Sequence, residues 1–324
     1  MTQARVVLAV ALNLLAMAIA TSAQEANNIP IIGVLRASSP VQNDPAMQAI
    51  LGALDKLGYT EGVNIKVEQR FADRHVDRLP QLADELVRLK VKVIVAVNEA
   101  SLLAAKQATS TIPIVVIAYD HDPVAAGLVG SRTWPSANVT GIFSRQTELA
   151  GKRLELLKET LPGLSRVAVL HDAAGRSAPA ELEPAAKRLG LQLRFVDLRN
   201  PKEFATALDR VRGKAQAATL LFSPMLFDYR ARIATLAIEA GLPMMSQERE
   251  FAVAGALMSY APDRAEVAAR TAYFIDRLLR GASPNDLPFE EAARFKLTVN
   301  LKTAKALGVK FPESILLRAD DVIR

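Results

Sequence analysis

The side chains best suited to chemistry are the histidines. His121 stands between Asp120 and Asp122, His171 precedes Asp172, and His75 is the third. A histidine beside a carboxylate is the arrangement of a general base or of a metal ligand. A metal site needs three or four convergent ligands, and His121 and His171 supply two if they meet. Otherwise both are polar turn residues. Asp120 and Asp122 are spaced as a carboxylate pair, but Asp122 before Pro123 reads more simply as a helix N-cap with proline in the first turn. The sequence contains no nucleophile elbow, no glycine loop of the dinucleotide- or phosphate-binding kind and no H-E-x-x-H pair. It also lacks cysteine, which excludes a thiol nucleophile, a zinc–thiolate site, disulfides and an acylated N-terminal cysteine. No catalytic centre, metal or cofactor is expected.

Other polar residues fall at the ends of apolar runs, where ligands sit in parallel α/β sheets. Ser38-Ser39 follow Ile31–Leu35, either as an ordinary turn or as a hydroxyl pair for a polar ligand. Asn98, Glu99 and Ala100 follow Val93–Val97. Asn98 serves equally as a cap or a ligand donor, and Glu99 is favourable at a helix start in either case. Asp120 and Asp122 follow Pro113–Ala118. Asp172, Ser223-Pro224-Met225 and Gln247-Glu248 occupy corresponding ends later in the chain. Tyr260 stands where the chain crosses between its halves, as a cleft-lining ring or as a packed hinge. Trp134, the only tryptophan, lies in a loop and reads as a packing residue.

These turns need regular elements to hold them. Val93–Val97 and Pro113–Ala118 are short apolar runs rich in β-branched residues, separated by the helix former Ala100–Ala108. The alternation begins at Ile31–Leu35. A helix follows from about Pro45, with Met47, Ile50, Leu51, Leu54 and Leu57 at helical spacing, then strand Val63–Phe71 and helix Val76–Lys90. Asn138–Phe143 completes a first array, and helix Glu148–Leu161 leads into a second. Its strands are Arg166–His171, Leu191–Leu198, Ala218–Phe222, Pro243–Ser246, Ala256–Tyr260 and Lys296–Leu301. Its helices are Ala180–Leu189, Lys202–Arg212, Phe227–Ala240, Asp263–Arg280 and Lys302–Leu307. Apolar strands alternating with helices predict an α/β fold of two doubly wound parallel-sheet lobes facing each other across a cleft.

Half of the 324 residues are hydrophobic, ample for two cores. The 40 basic residues are scattered among 34 acidic ones, with no basic block or basic-aromatic stripe, so no nucleic-acid partner is expected. Met1–Arg5 carries one positive side chain, Val6–Ala20 is apolar, and Thr21-Ser22-Ala23 are small. Residues 1–23 thus have the form of a secretory signal peptide cleaved after Ala20 or Ala23. The apolar run is about 15 residues, short of the roughly 20 that span a bilayer. An exported chain with neither disulfides nor a lipid anchor fits a bacterial periplasm.

Six runs carry a family resemblance: LPQLADELVRLKVKVIVAV, AAKQATSTIPIVVIA, DPVAAGLVGS with NVTGIF, KRLELLKETLPGLSRVAVL, EREFAVAGALMSYAPD and FKLTVNLKTAKALGVKFPESILLRADDVI. In combination they resemble the periplasmic substrate-binding proteins of ABC transporters, in the type I periplasmic-binding-protein superfamily and the branch related to tryptophan-binding TrpX proteins. The resemblance implies two lobes joined by three crossovers, near Gly141–Arg145, Ser259–Pro262 and Glu290–Phe295. It implies lobe 1 as residues 29–142 plus 261–289, and lobe 2 as 143–260 plus 290–324. The usual Gly-Thr-Pro type turn after the third strand is Asn98-Glu99-Ala100 here, and a carboxylate at Glu99 would repel an anion or bind an ammonium. The expectation is a monomeric solute-binding protein, not an enzyme. It would close on a small polar organic ligand, amino-acid-like or another small carboxylate, and deliver it to an inner-membrane ABC permease. The alternatives are a ligand-sensing partner of a membrane receptor and, with less support, a hydrolase using His121 and His171. A transcription regulator on the same core would need a helix-turn-helix where the signal-like segment stands.

Overall fold

The computed structural model describes residues 29–118, 138–144, 146–172, 179–221 and 223–324. In chain order the first elements are β1 (Ile31–Arg36), α1 (Pro45–Asp55), β2 (Lys66–Phe71), α2 (Leu79–Arg88), β3 (Val93–Val97), α3 (Glu99–Ala108), β4 (Ile114–Ala118) and β5 (Val139–Phe143). Next come α4 (Gln146–Thr160), β6 (Arg166–His171), α5 (Pro179–Leu189), β7 (Gln192–Asp197), α6 (Phe204–Val211), β8 (Ala217–Leu220), α7 (Pro224–Asp228), α8 (Arg230–Glu239), β9 (Met244–Ser246), α9 (Arg249–Ala254) and β10 (Met258–Pro262). The chain ends with α10 (Arg264–Leu279), β11 (Glu290–Glu291), β12 (Phe295–Asn300), α11 (Leu301–Ala306), α12 (Glu313–Arg318) and β13 (Asp321–Ile323).

The strands form two sheets, ordered β11-β5-β4-β3-β1-β2 and β13-β12-β10-β9-β8-β6-β7. Side-chain alternation explains why both need helices on two faces. In β3, Val93 and Val95 enter one core while Ile94 and Ala96 enter another. In β6, Val167 and Val169 face one core while Ala168 and Leu170 face a different one. A strand apolar on both faces is stable only when covered twice. This is the α/β architecture of two doubly wound lobes expected from the sequence.

The first sheet pairs in parallel throughout. The second contains one antiparallel pair, β10 with β12, which departs from a uniformly parallel sheet. The cause is the route of the chain. After β10 it crosses to the first lobe, where α10 packs Val267, Phe274 and Ile275 into that core and β11 pairs with β5. It then returns as β12, running back against the strand it left. Main-chain bonds fix the crossing: Asp263 N donates to Arg294 O at 2.8 Å, and Ala292 N donates to Phe143 O at 2.8 Å.

The helix expected over 227–240 is two helices, because the chain breaks at Tyr229 (φ −96°, ψ 15°). Ser223-Pro224 starts the first of them. Ser223 Oγ accepts from Leu226 N at 3.2 Å and proline occupies the first turn, which is a helix-start signature. Helices α9 and α12 and strands β11 and β13 are additional to the elements read from the sequence. All four are at most six residues long, too short for periodicity to declare them.

Candidate ligand-binding cleft

The carboxyl ends of β1, β2 and β3 carry the polar groups of the first lobe. Arg36 pairs with Asp44, and Asp44 Oδ1 caps α1 by accepting from Ala46 N at 2.9 Å. This pair fixes the loop that holds the half-buried Ser38 and Ser39. Asp73 and Arg74 follow β2, both with positive φ (52° and 69°), and Arg74 N donates to Ala37 O at 2.8 Å. Asn98 follows β3 at φ 94°, ψ 171°, a region that essentially only glycine occupies freely. Its Oδ1 caps α3 by accepting from Ser101 N at 3.0 Å. Glu99 and Ala100 form the first turn of α3, half-buried. Asp120, Asp122, His121 and Trp134 lie outside the described residues.

The second lobe answers with side chains that brace one another. Asp172, after β6, accepts from Ser223 Oγ. His171 is buried, with Nδ1 3.2 Å from Asp172 O and its ring edge-on to Phe195. Arg153, on α4 and only 2% exposed, donates from Nε to Tyr260 O at 2.8 Å and from Nη1 to Gln247 Oε1 at 3.5 Å. The Tyr260 ring packs on Phe295, centroids 5.8 Å apart. Gln247 Nε2 is buried without a hydrogen-bond partner. Met225 is half-buried in α7.

The lobes touch at a place that the sequence reading passed over. Asp228, the last residue of α7, meets the first lobe. Arg74 Nη1 lies 3.6 Å from Asp228 Oδ2, and the Arg74 guanidinium sits 5.6 Å from the Tyr229 ring centroid. Ser39 faces the same carboxylate from the first lobe. Burial pushes the Asp228 carboxyl above the ordinary carboxylate range, although Arg74, Arg230 and Ser39 pull the other way. The structure thus brings Ser39 to the second lobe, joins Asp172 to Ser223, and joins Gln247 to Tyr260 through Arg153. The signal for Asp228 was the Ser-Pro helix start, which puts residue 228 one turn from the cleft. Arg153 gave none, because an arginine on an amphipathic helix usually faces water.

A separate cavity of about 440 Å³ opens beside the crossing strands, lined in part by Arg249, Asp263, Arg264, Lys296 and Asp321. Its cations are matched: Arg249 with Asp321, Lys296 with Asp263, and Arg264 with Glu250. Among the described residues no group of three or more His, Cys, Asp or Glu side chains is placed to hold a metal ion. No helix among them is long and apolar enough to cross a membrane.

Two α/β lobes with facing strand ends, joined by crossing strands, define a two-lobe ligand-binding protein. Residues 31–323 match the family described as ABC transporter substrate binding protein, and the chain belongs to that family. A tyrosine-binding protein of Clostridioides difficile is 25% identical over 282 residues, 86% of this chain and 81% of that protein. A conserved domain protein from Vibrio cholerae has a crystal structure that matches with a TM-score of 0.81 at 25% identity, over 91% of this chain and 100% of that one. An ABC domain from Streptococcus pneumonia in complex with L-Trp gives 0.81 at 23% identity, over 91% and 99% of the two chains.

Proposed function

We propose that this substrate-binding protein captures an amino-acid-like solute between its lobes outside the cytoplasm and presents it, closed, to an ABC permease. The lobes divide at the crossing strands, the first built on the sheet that contains β5 and β11 and the second on the sheet that contains β10 and β12. The observation that carries the reading is the junction of Ser39 and Arg74 with Asp228 and Tyr229. Groups from the loops after β1 and β2 and from the end of α7 converge there, as ligand-driven closure requires. The tyrosine- and tryptophan-binding relatives support an amino-acid-like ligand.

The start of α3 offers backbone N–H groups to a ligand carboxylate, favoured by the helix dipole. Ser38, Ser39, Asn98, Glu99 and Ala100 line that side, and the proposal extends to Asp120 and Asp122, which lie outside the described residues. Asp172, Ser223, Met225, Gln247 and Tyr260 complete the site from the second lobe. The protein works without chemistry, metal or cofactor, as a monomer. A ligand that binds the closed form and not the open one lowers the free energy of closure.

Small-angle scattering of the purified protein across a panel of the common amino acids tests this. At least one amino acid should reduce the radius of gyration and raise the melting temperature in a concentration-dependent way. A panel that does neither removes the reading.

A further inference from the structure

Asp228 is a buried carboxylate whose ion pair is loose and whose Oδ2 lacks a hydrogen bond. Its side chain is 13% exposed. The nearest guanidinium, Arg74, stands at 3.6 Å, beyond hydrogen-bond reach, and its own side chain is 39% exposed. The other cation facing Asp228 is Arg230. It donates from Nη1 to Phe227 O at 2.9 Å and lies over the Phe227 ring at 4.7 Å. Ser39 is the remaining polar neighbour, a neutral donor from the opposite lobe. A buried carboxylate is expensive unless it is both paired and hydrogen-bonded. The raised protonation equilibrium of this one agrees that its neighbours do not meet that cost. The hinge-side cavity differs, since each of its cations has a carboxylate beside it.

We infer that Asp228 receives the ammonium group of the ligand, which narrows the ligand class to small molecules carrying a primary amine. This rests on the proposed function. An ammonium presents three N–H donors around one point charge. It is small enough to approach a carboxylate oxygen at about 2.8 Å, where the forked guanidinium of Arg74 does not reach. Arg74 then acts as a stand-in. It partly compensates Asp228 while the cleft is empty and swings toward solvent when the ligand's own cation arrives. Long arginine side chains tolerate such a swing because their stems pack while their heads stay wet. A ligand of the same shape without the amine would bury the carboxylate unpaired, and the site would reject it.

Calorimetric titration of the wild type, Asp228→Asn and Arg74→Ala with two matched ligand pairs tests the inference. The pairs are L-tyrosine with 3-(4-hydroxyphenyl)propionate, and L-tryptophan with 3-indolepropionate. The wild type should prefer an amino acid over its amine-free counterpart. Asp228→Asn should weaken amino-acid binding by about 30-fold or more, the usual scale for truncating one partner of a buried charge pair. It should change binding of the amine-free acid by less than about 3-fold, and Arg74→Ala should leave the preference for the amino acid intact. Wild type that binds the amine-free acid as tightly as the amino acid keeps the solute-binding reading and overturns the inference. Equal losses for both ligands in both variants would make the pair a latch between lobes and also overturn it. If the wild type binds neither amino acid, the titration uses the amino acid that the scattering panel selects and its deaminated counterpart, and a panel that yields no ligand removes the inference together with the reading beneath it. Asp228→Ser repeats the measurement if the asparagine variant does not fold.

Discussion

The two lobes carry the same β–α alternation but hold their cleft edges by opposite means. All five non-glycine residues with positive φ among the described residues, Asn43, Asp73, Arg74, Lys90 and Asn98, belong to the first lobe. Four of them follow its strands toward the cleft. In the second lobe every described residue with positive φ is a glycine, so its backbone is relaxed. Its cleft side is instead braced by side chains, Asp172 to Ser223 and Arg153 to both Gln247 and Tyr260. The first lobe shapes its edge by strained backbone, which aims main-chain groups; the second by buried polar pairs, which fix charges. Strain of this kind persists only where the surroundings over-determine it, and it concentrates at ligand sites. A ligand with unlike ends, one read by amides and one by a carboxylate, suits that division of labour.

The comparison breaks most sharply at the hinge strand of the first lobe. Gly141, in β5 at φ 150°, has the backbone of Val116 where a Cβ would go, with Val116 O at 2.1 Å. Main chain in the neighbouring strand has no rotamer to move to. Gly141→Ala should therefore lose roughly 2–6 kcal/mol, from backbone strain and overpacking together. Urea denaturation reads the loss directly, and a change under about 1 kcal/mol would mean that the close approach relaxes freely.

The brace of the second lobe should give next. Removing the Arg153 side chain strands the carbonyl of Tyr260 and the amide of Gln247, and leaves a void beneath the cleft. Arg153→Ala should cost about 2–4 kcal/mol through the unsatisfied groups and the cavity. If Arg153 were a surface cation that happens to lie flat, the loss would stay within about 0.5 kcal/mol.

Much of the fold was open to reading because apolar alternation declares itself. Val93–Val97 and Arg166–His171 were read with the boundaries that the structure gives them. The antiparallel β12 was not, since strand direction depends on a crossing through the other lobe that no local pattern records. Within the site, Asn98 stood out by type and place, and its cap on Ser101 follows from the sequence. Its backbone conformation did not, because an asparagine reads the same in a relaxed turn and in a strained one. Arg74 was invisible, and the Ser-Pro helix start gave the place of Asp228 without its partner, for a further reason. Each is an ordinary surface residue until two chains of contacts, more than 150 positions apart, bring them together.

Asn98 gives the smallest effect and the sharpest contrast, because there the sign reverses. In the second lobe, deleting a polar side chain should destabilise. At Asn98, replacement by glycine should stabilise, since glycine enters this region of backbone space without the 1–3 kcal/mol that other residues incur, roughly. Two losses oppose the gain. Glycine is a poorer cap than asparagine by only about a few tenths of a kcal/mol, and its flexible unfolded chain costs about 0.5–1 kcal/mol. The net expectation for Asn98→Gly is about +1 kcal/mol. Asn98→Ala keeps the strain and loses the cap, so it should fall by about 1 kcal/mol instead. Parallel urea titrations of the two variants, opposite in sign about the wild type, would locate stored strain in the first lobe. Two variants that both lose stability would show that the contacts of the asparagine outweigh its backbone, and the contrast between the lobes would then rest on the second lobe's brace alone.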